Sequence, residues 1–399
     1  MLMKNRFTFL LLLVGFQVFG QDFKVVGYLP YYRFSLSDQV DYSKLTHLNL
    51  AFANPDMQGN LDIGGQDIDP IVQLAKQENV TVCISLAGGG LTTEWAAAWA
   101  HLTMPANRSP FISKIMDYVR DHELDGVDVD LEWSHVNDDY SGFVLELRDS
   151  IDQYGWLMTA ALPGTYRYPQ ISTAAMEAYD FINMMVYDLT GPWDANNPGQ
   201  HSPYSFAVSA ISYWQNQGMP ADQLTLGVPF YGWNFNQAPG SVTSVTFGGM
   251  VSQNTDYAQI DQVGQIYYNG IPTIQAKTAL ALEEVSGIMI WELGQDAFND
   301  YSLLSAIDAV ISGTVSVEPP LPLPEVDIYP NPFVDYLNVN NQSETFNYTL
   351  SNANGSVVVR GQVNEYSTLQ VPTNQLPAGF YVLNLVNGQQ SMSWKLIKR

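Results

Sequence analysis

The chain has 399 residues and carries 40 acidic against 16 basic side chains, a formal net charge of −24 at pH 7. A surface with this excess of negative charge repels phosphate groups, so the composition disfavours a nucleic-acid partner. Hydrophobic residues make up 46% of the chain, enough for a sizeable core, and the length allows two or three domains.

A signal peptide is predicted at the N-terminus, over residues 1–20. Two basic residues precede an apolar run over residues 7–19, and Val18 and Gly20 are small residues at the positions that a signal peptidase reads. A membrane anchor is the alternative interpretation. The run is shorter, however, than the ~20 apolar residues that a membrane-spanning helix needs. We therefore expect cleavage after Gly20, export of the chain and no stable membrane span.

Residues 21–313 alternate short apolar runs with longer stretches of helical periodicity, such as 111–122 and 140–154. Strands are predicted at 24–30, 46–53, 80–86, 125–132, 156–163, 181–188, 224–230 and 287–292. Their nearly continuous Val, Ile, Leu, Ala and Met content is typical of parallel strands that are buried on both faces. Eight β/α units in ~290 residues predict an α/β fold, a (β/α)8 TIM barrel, in preference to a doubly wound sheet.

The fourth predicted strand, residues 125–132, reads Asp-Gly-Val-Asp-Val-Asp-Leu-Glu. Because side chains alternate across a strand, Asp128, Asp130 and Glu132 share one face, which would point into the barrel and rise toward its C-terminal rim. Three neighbouring carboxyl groups in a low-dielectric interior cannot all ionise, so at least one should hold a proton near neutral pH. This arrangement predicts that Glu132 is a general acid.

Two other interpretations of this strand are weaker. A solvated acidic strand would not carry Val127, Val129 and Leu131 on its opposite face. A metal site normally adds histidine or carboxylates from neighbouring strands, and the other predicted strand ends offer few. We therefore expect catalysis with no metal and no other cofactor.

Further short motifs stand at the ends of other predicted strands. They are Ser85-Leu-Ala-Gly88 on the third strand, Met185-Val-Tyr187-Asp188 on the sixth, Gly-Val-Pro-Phe-Tyr-Gly over 227–232 on the seventh and Trp291-Glu292 on the eighth. Together with Asp125, Asp128, Asp130 and Glu132, which match the pattern DxxDxDxE, they resemble the motifs of family 18 glycoside hydrolases, the chitinases and their relatives. The resemblance extends over residues 24–313, essentially the whole predicted barrel, and its motifs occur in the correct order.

The resemblance implies a retaining, substrate-assisted hydrolysis of β-1,4-linked N-acetylglucosamine chains, in which the acetamido oxygen of the substrate attacks the anomeric carbon. Glu132 would protonate the glycosidic oxygen and later deprotonate water. Asp130 would orient the acetamido N–H, and Asp128 would exchange a hydrogen bond or proton with Asp130. Tyr187 would donate its hydroxyl to the acetamido carbonyl. The other residues implied in substrate binding or in support of the acids are Asp188, Trp291, Met185, Tyr28 and Ser85.

Some positions depart from many members of the family. Gly89 stands where many have Trp, and Trp233 stands where many have Arg. Residues 231–286 are too few to form both a helix and a full α/β insertion domain. We therefore expect an open substrate groove, in which a sugar chain is cut at internal bonds. Candidate sugar platforms are Trp95, Trp99, Trp133, Trp193 and Trp233.

Two other functions use or resemble the same motifs. An endo-β-N-acetylglucosaminidase acting on N-glycan cores would carry the same catalytic residues, so the motifs do not separate it from a chitinase. A non-catalytic chitin-binding lectin of this family typically lacks the last acid of the pattern, and Glu132 is present here. The expected partners of the barrel are chitin or chitooligosaccharides.

A Pro-rich linker is predicted at residues 314–324, followed by a small antiparallel β-sandwich at residues 325–399, where short alternating strands are separated by Asn and Gly turns. Segments 328–333, 376–381 and 395–399 resemble the C-terminal sorting domain of the type IX secretion system of Bacteroidota. The resemblance implies contact with that machinery and a secreted or cell-surface location. A carbohydrate-binding module is the alternative, but it needs a row of exposed aromatic residues, and Trp394 is the only tryptophan there.

Overall fold

The structure, a computed structural model, describes residues 23–236, 241–315, 317, 326–341, 345–353, 355–365, 367–386 and 391–399. The predicted signal peptide and most of the predicted linker lie outside these residues. The chain divides into two compact units, Met1–Glu318 and Pro319–Arg399. Within the described part of the chain, no helix combines the length and the apolar character needed to cross a bilayer.

Eight parallel strands form a closed barrel in the first unit. They are Lys24–Pro30, His47–Pro55, Thr81–Ala87, Gly126–Asp130, Leu157–Pro163, Phe181–Met185, Leu224–Pro229 and Gly287–Trp291. Each strand pairs with the next in chain order, and the first pairs with the eighth to close the cylinder. The predicted TIM barrel is therefore confirmed.

Helices connect the strands and cover the outside of the barrel. The α-helices are Asp69–Gln77, Thr93–Leu102, Arg108–Asp121, Tyr140–Ile151, Thr173–Glu177, Tyr204–Asn216, Phe247–Gln253, Ile271–Glu284 and Leu303–Ile311. The 3₁₀ helices are Tyr31–Gln39, Tyr42–Lys44, Trp133–His135, Pro192–Asp194, Ala221–Gln223, Thr255–Gln259 and Leu293–Gln295. Phe111, Ile115 and Val119 show the helical spacing of buried residues that predicted one of these helices.

Close packing between neighbouring barrel strands explains two of their glycines. A Cβ atom at Gly126 would collide with the carbonyl oxygen of Leu157, and one at Gly227 would collide with that of Met184. Because backbone cannot yield as a flexible side chain does, any larger residue at these positions would push adjacent strands apart. The sequence therefore needs glycine where these strands meet.

Short antiparallel strands lie on the C-terminal side of the barrel. Leu61–Asp62 pairs with the end of the second barrel strand. Between the seventh and eighth strands, a small sheet contains Tyr231–Asn234, Thr243–Thr246, Gln262–Val263 and Ile266–Tyr267. The sequence analysis did not predict this sheet, because it is built from strands of two to four residues, too short to show an alternating pattern.

The second unit is a small antiparallel β domain with a core of its own, as predicted. One sheet contains Val326–Tyr329, Tyr336–Asn341 and Ser367–Pro372, and the other contains Phe346–Asn352, Val357–Val363, Gly379–Val386 and Ser391–Lys398. Leu337, Val339, Leu350 and Leu383 are fully buried and belong to one hydrophobic cluster. Alternation in these strands places their apolar residues on that shared inner face.

Candidate active site

A cavity of about 770 Å³ opens where the barrel strands end. Ala87, Asp130, Met185 and Trp291, each the last residue of a barrel strand, lie in its wall. Active sites of this fold lie at this rim because the loops that follow the strands can vary without disturbing the barrel. Four strands that are far apart in the chain thus contribute to one pocket.

The three acids of the fourth strand lie in a column, as predicted. The strand ends at Asp130, but the backbone remains extended through Glu132, so the alternation continues and all three side chains share one face. Asp128 is fully buried in the barrel, Asp130 is 3% exposed, and Glu132 is partly exposed in the cavity wall. The column therefore leads from the barrel interior to the site.

Asp128 is held by four hydrogen-bond donors. Its Oδ2 accepts from Tyr28 Oη at 2.8 Å and from Ser85 Oγ at 2.7 Å. Its Oδ1 accepts from Thr159 Oγ1 at 2.6 Å and from Asn183 Nδ2 at 3.3 Å. Burial raises the pKa of Asp128, and these hydrogen bonds oppose the rise because they stabilise the charged form.

Asp130 has the opposite surroundings. Its Oδ1 is buried and has no hydrogen-bond partner among the described residues. Burial first, then the charges of Glu132 and Asp128, hold the pKa of Asp130 well above its usual range. Among the described residues, no hydrogen bond joins Asp128 to Asp130. The two carboxyl groups therefore interact through their charges, without the predicted shared hydrogen bond or proton. Asp130 can carry a proton or accept a hydrogen bond from a substrate.

Glu132 has the electrostatic properties of a proton donor. Burial first, and then the negative charge of Asp188, raise the pKa of Glu132 to about 7. Its carboxyl group also lies against the backbone of Gly89, where a Cβ atom would come within 2.5 Å of Glu132 Oε1. Gly89 therefore leaves room for the acid, a role that the sequence analysis did not assign to it. The run of three glycines at 88–90 was the signal available.

Asp188 is held by three aromatic side chains. Tyr231 Oη donates to its Oδ1 at 2.6 Å, Trp233 Nε1 donates to the same atom at 3.0 Å, and His201 Nδ1 lies 3.3 Å from it. Trp233 therefore supplies a donor to this carboxylate. The prediction of Trp233 as a sugar platform does not agree with this hydrogen bond, because the indole N–H of Trp233 points to Asp188.

The predicted aromatic residues form the apolar part of the cavity. Trp291 is half-buried, stacks on Phe52 with ring centroids 5.5 Å apart and meets the edge of Tyr28 at 5.7 Å. Tyr187 lies in the cavity wall, and its hydroxyl oxygen is 3.9 Å from Met289 Sδ. Because a thioether sulfur is a weak acceptor, the Tyr187 hydroxyl can donate its hydrogen bond to a bound substrate instead. Met185 also lies in this wall.

The structure separates the candidate tryptophans. Trp95, Trp133 and Trp193 line the cavity. Trp99 is only 2% exposed and donates its indole N–H to Asn54 at 2.9 Å, so its prediction as a sugar platform is wrong. Helical periodicity buries it, because it lies on the inner face of helix Thr93–Leu102.

Asp125, the first acid of the motif, lies away from the cavity at the start of the fourth strand. Its Oδ2 accepts from the backbone N–H of Val82 at 2.8 Å, and its Oδ1 lies 3.2 Å from Lys76 Nζ. These contacts tie the start of the fourth strand to the third strand. Asp125 therefore stabilises the barrel and takes no part in the site.

The sequence analysis missed three buried polar residues that support Asp128. Thr159 and Asn183 donate to it, and Thr225 donates to Asn183 Oδ1 at 2.7 Å. Each lies in an otherwise apolar barrel strand and is almost completely inaccessible to solvent. A lone polar residue in such a strand was the available signal, since buried polar groups need partners.

Comparisons with known proteins agree with this geometry. Residues 24–296 match the family model for glycosyl hydrolases family 18, and residues 327–399 match that for a secretion system C-terminal sorting domain. A chitinase from the chitin utilization locus of Flavobacterium johnsoniae is 47% identical to this chain, with a TM-score of 0.72, and the match covers 73% of this chain and 95% of that one.

Two curated fungal relatives are more distant. Endochitinase 1 of Metarhizium robertsii is 26% identical over 295 residues, 62% of this chain and 69% of that protein. A chitinase-like effector of Moniliophthora roreri is 26% identical over 226 residues, 49% of this chain and 55% of that protein. The chain spans about half the length of several curated relatives that it matches.

The charge of Asp188 can be tested directly through Glu132. The substitution Asp188→Asn removes a negative charge that favours the protonated form of Glu132, so the pKa of Glu132 should fall below its value of about 7. NMR titration of the Glu132 side-chain carboxyl carbon measures this shift. Asp117→Asn, on the outer surface of helix Arg108–Asp121, is the control and should leave the titration unchanged. An unchanged or higher pKa in Asp188→Asn would contradict the coupling.

Proposed function

Because the chain belongs to family 18 of the glycosyl hydrolases, we propose that it is a secreted, endo-acting chitinase that cuts β-1,4-linked N-acetylglucosamine chains with retention of configuration. The column of Asp128, Asp130 and Glu132 carries this proposal. Glu132 has a pKa of about 7, near the optimum for donating and accepting a proton at neutral pH. Beside it, Asp130 offers an unpartnered oxygen to a substrate N–H.

In the first step, Glu132 gives its proton to the glycosidic oxygen as the bond between that oxygen and the anomeric carbon breaks. The acetamido carbonyl oxygen of the same sugar attacks the anomeric carbon and forms a cyclic oxazolinium ion. The substrate thus supplies the nucleophile that other retaining glycosidases provide as a second carboxylate. The leaving chain departs as an alcohol.

Asp130 stabilises the positive charge that develops on the acetamido group. Its carboxyl oxygen accepts the acetamido N–H, which orients the carbonyl oxygen toward the anomeric carbon. Burial makes this interaction strong because the cavity offers little competing solvent. The four donors around Asp128 fix its charge and hold it beneath Asp130.

The aromatic wall positions the sugar that reacts. Trp291 supports the apolar face of the ring, and Phe52, stacked behind it, limits its movement. Tyr187 donates its hydroxyl to the acetamido oxygen, and Asp188, held by Tyr231, binds a hydroxyl of the distorted sugar. Met185 completes the contact surface.

In the second step, Glu132 acts as a base. It takes a proton from water as the water oxygen attacks the anomeric carbon and opens the oxazolinium ring. Two successive inversions at the same carbon give net retention, and Glu132 regains the proton that it lost in the first step. A pKa near 7 suits both halves of this cycle.

The named relatives support chitin as the substrate. The 47% identical structure is a chitinase from a chitin utilization locus, and a curated relative is an endochitinase. The match of residues 327–399 to a secretion system sorting domain supports export. We propose that the type IX system carries the chain to the medium or the cell surface, and that residues 21–313, 314–324 and 325–399 are the catalytic domain, the linker and the sorting domain.

The substrate class is tested by offering N-acetylated chitooligosaccharides, their deacetylated counterparts and a high-mannose glycoprotein to the enzyme, with mass analysis of the products. We expect cleavage of the N-acetylated chitooligosaccharides alone. The deacetylated sugars should not react, because a sugar without its acetyl group has no internal nucleophile. Internal cleavage predicts that long oligomers appear early when the substrate is a soluble polymer. Release of N-glycans from the glycoprotein, with no action on chitooligosaccharides, would assign the chain to N-glycan cores instead.

The role of Glu132 is tested by Glu132→Gln, which keeps the shape of the side chain but removes its acidic proton. General acid–base catalysis contributes ~10²–10⁴-fold, so kcat should fall by at least that factor while oligosaccharide binding persists. Glu177→Gln, at an exposed position, is the matched control and should retain full activity. Activity of Glu132→Gln within tenfold of wild type would exclude Glu132 as the acid.

The separate cores of the two units predict the effect of truncation. A chain ending at Gly313 retains the whole barrel core, so it should fold and hydrolyse soluble chitooligosaccharides at the full-length rate. Without its C-terminal domain it should remain in the periplasm of its host, which cell fractionation measures. Normal secretion combined with lost binding to insoluble chitin would instead identify residues 325–399 as a carbohydrate-binding module.

A further inference from the structure

The helix Ile271–Glu284, which leads into the eighth barrel strand, carries a lysine that is completely inaccessible to solvent, Lys277. Placing a cation in such surroundings is unfavourable unless hydrogen bonds or opposite charges satisfy it. No step of the proposed reaction uses Lys277. Its burial therefore calls for an account of what its amino group holds.

Three acceptors satisfy the amino group of Lys277. Its Nζ donates to the carbonyl oxygen of Ser202, to Ser202 Oγ and to Asn269 Oδ1, each at 2.7 Å. Their number equals the number of N–H bonds of a protonated lysine. Burial lowers the pKa of Lys277 to about 7, and the charge of Asp261 opposes this effect, as do hydrogen bonds that favour the charged form. The amine thus acts as a triple donor at a fixed place.

Ser202 connects this lysine to the segment that follows the sixth barrel strand. Its hydroxyl accepts from Lys277 and donates to the carbonyl oxygen of Val186, the residue before Tyr187. Its backbone carbonyl oxygen accepts a further hydrogen bond from Asn269 Nδ2 at 3.0 Å. Ser202 and Asn269 are both buried, so water does not compete for these groups.

The residue before Ser202 contacts the carboxylate at the rim of the site. His201 Nδ1 lies 3.3 Å from Asp188 Oδ1 and accepts from the backbone N–H of Asp188 at 3.4 Å. The carbonyl oxygen of His201 accepts from the backbone N–H of Leu189 at 3.0 Å. Because His201 is completely buried, its place is set by these contacts and by its neighbour Ser202.

The backbone of Asp188 depends on such support. Its φ is +66°, in the left-handed region that is unfavourable for residues other than glycine. Such a conformation persists where the surroundings enforce it. The hydrogen bonds that Asp188 and Leu189 donate to His201 supply part of this enforcement. The segment that carries His201 therefore helps to fix where the charge of Asp188 lies.

We infer that Lys277 is a positioning residue, which fixes Asp188 relative to the acid Glu132. It acts through Ser202 and His201, along the hydrogen bonds described above. This inference rests on the function proposed above, in which Glu132 is the acid. The structure thus links a buried amine on an outer helix to the proton that is transferred in the site.

Two effects of Lys277 on Glu132 have opposite signs. The charge of Asp188 raises the pKa of Glu132, so an Asp188 that is no longer held in place should raise it less. The positive charge of Lys277, acting directly, would lower that pKa, so its removal alone should raise it. The direction of the change therefore separates positioning from a direct effect of charge.

The other titratable groups near these two residues stay in place as side chains when the lysine is replaced. Around Glu132 they are Asp128, Asp130, Tyr168, Tyr187, Asp188 and Tyr231, and around Lys277 they are His201 and Asp261. Burial first, and also the charge of Lys277, lower the pKa of His201. A variant that keeps this charge is therefore needed beside one that removes it.

The first variant of the full-length enzyme is Lys277→Met, which removes the amino group and its three hydrogen bonds. NMR titration of the Glu132 carboxyl carbon should show a pKa lower by about half a unit or more. Because Glu132 must be protonated to act as the acid, the alkaline limb of the pH profile of kcat/KM on chitooligosaccharides should move to lower pH. The control is Thr278→Val, which removes a buried hydroxyl that bonds within the same helix, to the carbonyl oxygen of Ile274, and should change neither readout.

The second variant is Ser202→Ala, which keeps the charge of Lys277 but removes the hydroxyl that joins it to Val186. The pKa of Glu132 should again fall, by less than in Lys277→Met, and this variant decides the matter if Lys277→Met does not fold. In an Asp188→Asn background, Lys277→Met should cause no further fall, because the charge that it positions is gone.

Three results would overturn the inference. They are an unchanged or higher pKa of Glu132 in Lys277→Met, an unchanged pKa in Ser202→Ala, and an equal fall for Lys277→Met in the Asp188→Asn background. If wild type cleaves no chitooligosaccharide, the proposed function fails instead. The NMR titration needs no substrate, so it tests the link between Lys277 and Glu132 separately from that outcome.

Discussion

The burial of a carboxylate inside the barrel is the constraint on which the site depends. Asp128 lies where water cannot reach it, and an unpartnered charge there would be strongly unfavourable. Four donors from the first, third, fifth and sixth strands satisfy it. Its charge then acts on Asp130, which has no such set of donors, and adds to the effect of burial in raising the pKa of that carboxyl group. The difference in partners gives chemically identical side chains different roles.

The rim of the barrel uses a second set of contacts. Asp188 is held by Tyr231, Trp233 and His201, and its charge helps to raise the pKa of Glu132. The proton on Glu132 thus depends on residues from the loops after the sixth and seventh strands. Trp233 thus contributes to the site as a hydrogen-bond donor to Asp188.

Sharp backbone turns aim the side chains of the site. Ala87, Trp133 and Asp188 all have positive φ values, of 78°, 55° and 66°, and all line the proposed catalytic cavity. Each follows or ends a barrel strand, where the chain leaves the regular sheet. Their unfavourable conformations are stabilised by the barrel beneath them, which makes the pocket a preformed surface.

Local pattern determined much of this protein. Short apolar runs, and alternation in the fourth strand, predicted the eight barrel strands. The period of two also placed Asp128, Asp130 and Glu132 on one face. Both signals depend only on neighbours in the chain. Tertiary structure alone decided which polar residues meet Asp128, since Thr159 and Asn183 reach it through strand register across the barrel. It also buried Trp99 and exposed Trp133, two residues of the same type, because exposure depends on what the rest of the fold packs against each ring.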